Sequence, residues 1–318
     1  MKAVFLDFDT VSRDDEIPLD PINEVVTALE VHPHSSPDEI PERIRDCQVL
    51  LTNKCRITAE VMDAAPALEL ICLAATGFDN VDVEAARQRG IGVCNIVAYA
   101  TPSVVQHSFA LMLALNQRLD AYRERLRAGD WERNPHFTML DYPFHELAAQ
   151  RLGIVGYGEL GRNVARVAEA FGMEVQVAER PGQSPRSDRL ALEQVLETAD
   201  ILSLHCPLTE DTRHLIDADA LRRMPDHALL INTARGAVVD EAALADALRE
   251  GRIAGAGVDV LSQEPPVDGN PLLAADIPNL ILTPHVAWAG VEARQRAVAE
   301  MAANIRAFSR GERRNRLD

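Results

Sequence analysis

Short apolar runs alternate with helix-patterned stretches along almost the whole chain, and this alternation limits the possible folds more than any other feature of the sequence. In the first third, AVFLDF (3–8), VLLTN (49–53), LELICLAA (68–75) and GVCNI read as buried strands. Between them, PINEVVTALE opening at Pro21, PERIRDC, ITAEVMDAA and VDVEAARQRG read as helices, the last stopped at Gly90. Strands separated by helices return through crossovers and build a parallel sheet. A second series starts at Arg151: RLGIVGYG, a helix over 159–171, strand 173–179, helix 189–198 and strand 200–206. ALLINTA, IAGAGVDV (253–260) and PNLILTPH (278–285) supply further strands, and a helix over 291–309 closes the chain. With 318 residues, the expectation is an α/β protein of two domains, each on its own parallel sheet.

The stretch between the two series differs from both. TPSVVQHSFALMLALNQRLDAYRERLRAG reads as one long helix over 101–129, apolar in its first half and charged in its second. Residues 130–150 carry much of the aromatic content with weak periodicity, the composition of a partner surface or of a loop folded on its own domain.

Charge and cysteines narrow the function classes. Lys plus Arg number 32 and Asp plus Glu 49, a net charge of −17 that repels nucleic acid and anionic membranes alike. No apolar run approaches the roughly 18 residues of a spanning helix, and Asp7 interrupts the N-terminus too early for a signal sequence. Cys47, Cys55, Cys72, Cys94 and Cys206 show no CxxC spacing, so neither a disulfide framework nor a metal site is expected. Free, mostly buried thiols in a reducing, cytoplasmic compartment are the expectation.

The strongest local motif is Gly156-Tyr157-Gly158-Glu159-Leu160-Gly161, entered by the apolar strand LGIV and left by a helix. Glu179 ends the next strand, which completes the βαβ context of dinucleotide binding. Gly156 permits the turn, Gly158 lets backbone approach a pyrophosphate, and Gly161 lets helix pack on strand; the helix N-terminus offers NH groups to the phosphates. Glu179 would accept from the ribose hydroxyls and repel a 2′-phosphate, whereas Arg180 beside it could hold one. NAD is expected, with NADP possible. Farther along, Arg235, Glu264 and His285 each follow a predicted strand, at the edge where open α/β sheets bind ligands.

Taken in order, LGIVGYGELGR, LHCPLTEDTRHLI, INTARGAVVDEAAL, GAGVDVLSQEPP and NLILTPHVAW resemble the D-isomer-specific 2-hydroxyacid dehydrogenase family. AATGFDNVD, SVVQH and TPHVAWA are similar to its glycerate dehydrogenase/hydroxypyruvate reductase branch. The resemblance implies a flavodoxin-like substrate domain over 1–98, completed by 286–318, and a Rossmann dinucleotide-binding domain over 99–285. It further implies a homodimer joined through the coenzyme domains and hydride transfer between NADH and a small 2-oxo acid, with hydroxypyruvate and D-glycerate the expected pair. Arg235 would bind the substrate carboxylate through its fork of donors, and His285 would be the general acid–base. Glu264 would hydrogen-bond His285 and favour its charged form. Ala75, Thr76 and Gly77 would hold the carboxylate through main-chain NH groups. Asp259 would take the carboxamide, and Cys206, Pro207, Thr233 and Ala234 would line the nicotinamide and its ribose. No metal is implied.

Two readings compete. VFLDFDTV resembles the DxDxT loop of haloacid-dehalogenase-like phosphotransferases, with Asp7 as nucleophile and Asp9 as acid. No GDxxxD follows to bind magnesium, so capping of the first strand's turn explains the two aspartates better. A dinucleotide-sensing binding protein of the same fold is the other alternative; the short C-terminal GERRNRLD, with no long partner tail, favours an enzyme.

Overall fold

The computed structural model describes residues 1–14, 16–179 and 186–318. The chain forms two compact units, Met1–Thr101 with Trp288–Asp318, and Pro102–Ala287. No described helix is long and apolar enough to cross a membrane.

The first unit is built on β1 (Lys2–Phe5), β2 (Ala28–Val31), β3 (Val49–Thr52), β4 (Leu70–Leu73) and β5 (Gly92–Cys94). Helices α1 (Asp20–Asn23), α2 (Ile40–Ile44), α3 (Ala59–Asp63) and α4 (Val83–Gln88) connect them. Every pair is parallel and the order is β2-β1-β3-β4-β5, that of flavodoxin. β3 and β4 are buried at every position, which is why they read as unbroken apolar runs. Gly90, at φ +71°, ends the α4 segment in the left-handed region, where a side chain would be strained.

Residues 21–30 do not form the single helix expected from the sequence. α1 stops at Asn23, and 28–31 run extended as β2, in register from Lys2↔Ala28 to Phe5↔Val31. The open edge of β1 offers backbone groups that only a strand can satisfy, and β-branched Val25, Val26 and Thr27 resist a helix. β2 is a largely exposed edge strand, so it carries no buried-strand signature.

In the second unit α5 (Thr101–Asn116) and α6 (Leu119–Arg127) replace the one long helix expected over 101–129. Arg118 stands between them at φ +53°, a left-handed backbone that interrupts the helix. The break separates α5, whose Phe109, Met112 and Leu115 are buried in the core, from α6, which buries nothing. Residues 130–150 hold neither helix nor strand.

β6 (Arg151–Val155), α7 (Glu159–Ala170), β7 (Glu174–Val177), α8 (Leu192–Thr198), β8 (Ile201–Leu204), α9 (Ala218–Arg223), β9 (Leu229–Asn232), α10 (Glu241–Arg249), β10 (Gly255–Val258) and β11 (Leu280–Leu282) complete the unit. The sheet is parallel throughout, ordered β11-β10-β9-β8-β6-β7. Ile201, Leu229 and Ile231 pack with α5 and α7 on one face, while Leu202, Leu204 and Leu230 pack with α8 to α10 on the other. Because β7 lies on one side of β6 and β8 on the other, the chain reverses direction between β6 and β8. Ligands of such sheets bind at this switch point. The last helix, α11 (Val291–Ser309), belongs to the first unit and packs on α1 and β4.

Candidate active site

The glycine turn occupies the switch point of the second sheet. β6 ends at Val155, opposite Leu204 of β8, so the next residues on each strand are neighbours. A Cβ on Gly156, at φ +93°, would stand 2.5 Å from the backbone nitrogen of Cys206, and one on Gly161 would stand 2.2 Å from the Gly156 carbonyl oxygen. Both positions therefore admit only glycine. Gly158 differs: a Cβ there would meet nothing within 4 Å, and no side chain caps the α7 N-terminus that it begins. Open space before a helix start fits a dinucleotide pyrophosphate, whose oxygens the helix NH groups and dipole would receive.

Around the turn, the Arg189 guanidinium lies 4.7 Å from the centre of the Tyr157 ring. Glu159 is exposed and Leu160 half-buried in the first turn of α7. Half-buried Glu179 follows β7 and accepts the Arg186 NH at 3.2 Å through Oε1; Arg180 lies outside the described residues. Cys206 is buried, and burial pushes its thiol up to about 11, so it stays protonated at neutral pH. Pro207 is exposed, its carbonyl taking the Thr212 hydroxyl at 2.7 Å. The His205 imidazole holds Ser203 Oγ at 2.9 Å through Nε2, while its buried Nδ1 finds no partner among the described residues. Desolvation lowers its pKa to about 4.

Arg235, Glu264 and His285 all lie in this one unit, where Glu264 and His285 are bonded to each other and Arg235 lies on a turn packed against the loop that carries Glu264. Arg235 is exposed just past β9, with Nη1 donating to the Ala234 carbonyl at 2.7 Å. The turn is fixed by Asn232, which accepts the Ala234 NH and donates to the Arg235 carbonyl, and by the buried Thr233 hydroxyl 3.2 Å from Ser108 Oγ. A Cβ on the next residue, Gly236, would lie 2.0 Å from the Leu261 carbonyl carbon, so glycine lets the Arg235 turn press on the loop that carries Glu264. Glu264 Oε1 accepts the Leu261 NH at 2.8 Å, and Oε2 lies 2.6 Å from His285 Nδ1. An ionised carboxylate can only accept, so the proton of this bond sits on Nδ1. Glu241, the first residue of α10, holds the same loop: its carboxylate accepts the Ser262 NH at 2.7 Å, the Ser262 hydroxyl at 2.5 Å and the Asn270 amide at 2.8 Å. Sequence reasoning passed over Glu241, because in DEAAL it reads as an ordinary acidic residue in the first turn of a helix.

Asp259 is buried, and its carboxylate is already engaged by the protein: Oδ1 takes the Thr283 hydroxyl at 2.5 Å and the Val286 NH at 2.9 Å, and Oδ2 takes the Ala287 NH at 2.9 Å. In the first unit, Ala75, Thr76 and Gly77 follow β4. Thr76 donates its hydroxyl to the Ile96 carbonyl at 2.8 Å, and Asn95 donates to the Thr76 carbonyl at 2.8 Å. Asp7 has 3% exposure; it accepts the NH groups of Asn53 at 2.9 Å, Lys54 at 2.6 Å and Cys55 at 3.1 Å. A carboxylate spent in this way on backbone is a structural cap and presents no nucleophile.

Residues 109–287 match the family model described as D-isomer specific 2-hydroxyacid dehydrogenase, NAD binding domain. Glycerate dehydrogenase of Methylorubrum extorquens is 45% identical over 280 residues, covering 88% of each chain. Hydroxypyruvate reductase of Blautia hydrogenotrophica is 36% identical over 278 residues, covering 86% of each. Among solved structures, the TT0316 protein of Thermus thermophilus aligns over 100% of both chains with TM-score 0.87 and 36% identity. D-lactate dehydrogenase of Aquifex aeolicus, complexed with NAD and lactic acid, aligns over 98% of this chain and 96% of its own with TM-score 0.81 and 27% identity. The chain belongs to the D-isomer-specific 2-hydroxyacid dehydrogenase family. It is accordingly an NAD-dependent oxidoreductase acting on 2-hydroxy and 2-oxo acids.

Proposed function

We propose that the protein reduces hydroxypyruvate to D-glycerate, with Arg235, Glu264 and His285 as its catalytic residues. The observation that carries this reading is the 2.6 Å bond from His285 Nδ1 to Glu264. With Nδ1 tied to the carboxylate, Nε2 is the nitrogen that gives a proton to the ketone oxygen in reduction and takes it back in oxidation. Glu264 fixes the ring's orientation and balances its charge when both nitrogens are protonated. Arg235 grips the substrate carboxylate in a two-bond fork and polarises the neighbouring carbonyl. When bound, the nicotinamide supplies the hydride.

The remaining roles follow the same reading. Gly156 to Gly161 receive the pyrophosphate, Glu179 the adenosine ribose, and Cys206, Pro207, Thr233 and Ala234 the nicotinamide side. The Asp259 carboxylate, which already holds three protein donors, would reach the carboxamide with its remaining acceptor capacity. The unit formed by 1–98 and 286–318 handles the substrate, with Ala75 to Gly77 meeting its carboxylate, and 99–285 handles the coenzyme. Glu179 makes NAD the preferred coenzyme. Trp131, Phe137, Leu140 and Phe144, of which Phe137 is 90% and Leu140 84% exposed, are proposed to be covered by a second copy in a cytoplasmic homodimer.

Oxidation of NADH and of NADPH is measured with hydroxypyruvate, glyoxylate and pyruvate in parallel, with light scattering for mass. Fast NADH loss with hydroxypyruvate at dimer mass is the expected result. Preference for another acid corrects the substrate, and NADH binding without turnover on any acid overturns the proposal.

A further inference from the structure

His107 lies in the SVVQH stretch, which has no role in the chemistry above. It sits on α5, one helical turn after Ser103, and the two side chains face one segment: Ser103 Oγ donates to the Ala287 carbonyl at 2.7 Å, and His107 Nε2 lies 3.0 Å from Thr283 Oγ1. His107 Nε2 is also 3.5 Å from Asp259 Oδ1. Proton bookkeeping orders the contacts. The single Thr283 proton goes to Asp259 Oδ1, because an ionised carboxylate can only accept. The Thr283 oxygen is therefore left as an acceptor, and His107 Nε2–H is its donor.

Beyond Asp259 the chain of bonds reaches three consecutive amides. His285 NH donates to the Asp259 carbonyl at 2.7 Å, Val286 NH to Oδ1 at 2.9 Å and Ala287 NH to Oδ2 at 2.9 Å. These bonds hold His285 at φ +54°, a left-handed backbone that costs a non-glycine residue on the order of 1 kcal/mol. The direction of the imidazole thus depends on how Asp259 is held, and Asp259 is held from the helix side through Thr283 and His107.

We propose that His107 is a positioning residue for the acid–base step, acting on His285 through Thr283 and Asp259. The inference rests on the assignment of His285 as the acid–base. His107→Leu, with no donor, is expected to lower kcat by about 10- to 100-fold, the effect of misplacing a catalytic group by roughly 1 Å. KM for the 2-oxo acid should stay within about twofold. His107→Gln, which can place an NH2 donor near the same point, should recover most of the lost rate. Independently of turnover, amide exchange of His285, Val286 and Ala287 should quicken at least about tenfold in His107→Leu and stay slow in His107→Gln. Lowered thermal stability with unchanged kcat per folded molecule would mean a merely structural role and would overturn the proposal, as would unchanged exchange at the three amides. If the wild-type chain turns over none of the tested acids, or if His285→Ala keeps its rate, the acid–base assignment fails instead. The exchange experiment then still decides whether His107 holds the segment.

Discussion

The two units share a topological device and use it in opposite ways. In each sheet the chain reverses beside the first strand, between β1 and β3 in one and between β6 and β8 in the other. At the first reversal Asp7 supplies its own anion, and three backbone NH groups converge on a carboxylate sealed from water. At the second, the corresponding stretch is a glycine turn with open space at Gly158 and a helix start that no side chain caps. A ring of NH donors calls for negative charge. Where the sequence provides the charge, the edge is structural; where it withholds it, the edge is ready for a phosphate.

Substitutions at both edges can break this contrast. The largest effect is expected from His285→Ala: turnover should fall by about a thousandfold, within the range of general acid–base catalysis, while NADH binding titrated by fluorescence stays intact. Retained turnover would sink the acid–base assignment. Arg235→Lys keeps the charge but loses the fork, and about a hundredfold loss in kcat/KM is expected; a mild loss argues against a carboxylate clamp.

Gly156→Ala forces a Cβ against Cys206 backbone, and NADH affinity should drop tenfold or more. Asp7→Asn should do the reverse, lowering unfolding free energy by about 3 kcal/mol in urea melts while leaving NADH affinity unchanged. Equal effects of these two variants on coenzyme binding would erase the distinction between the edges.

Acid should separate the units more gently. Desolvation keeps His205 neutral down to about 4 in the fold, against an ordinary 6.5, so protons favour the unfolded chain and stability falls from about pH 6.5 to pH 4. In the first unit, partial burial works against ionisation of Asp318, yet Arg316 and the Val93 NH bring its carboxyl down to about 2, against an ordinary 3.8. That stability is present above pH 4 and lost between about pH 4 and 2. Trp131 lies in the second unit and Trp288 in the first, so Trp131→Phe and Trp288→Phe variants report each in turn during acid titration. The second unit should yield at the higher pH; the reverse order removes His205 as the cause.

Much of this was legible in the sequence because it is written locally. Fully buried parallel strands must be apolar throughout, so β3, β4, β6 and β8 stand out as short uninterrupted runs. The glycine turn, the helix after it and Glu179 fall within one βαβ unit; Arg235 and His285 follow closely on a strand, and Glu264 follows one after a short turn. Chemistry carried by residue type at a strand end survives without knowledge of the partners. β2 escaped because an exposed edge strand needs only β1 beside it, and the break at Arg118 escaped because both halves of that run favour helix.

What tertiary structure alone decided is the set of bonds between residues far apart in the chain. Asp7 reaches Asn53 across 46 positions, Glu241 reaches Ser262 across 21, and Asp259 reaches Thr283 across 24. None of these carboxylates differs in sequence from a helix cap or a solvated acid. For Asp7 and Asp259 the roles arise when folding removes water and leaves backbone NH groups that need an acceptor, and for Glu241 when folding brings the Ser262 loop beside it; neither requirement is visible in local pattern.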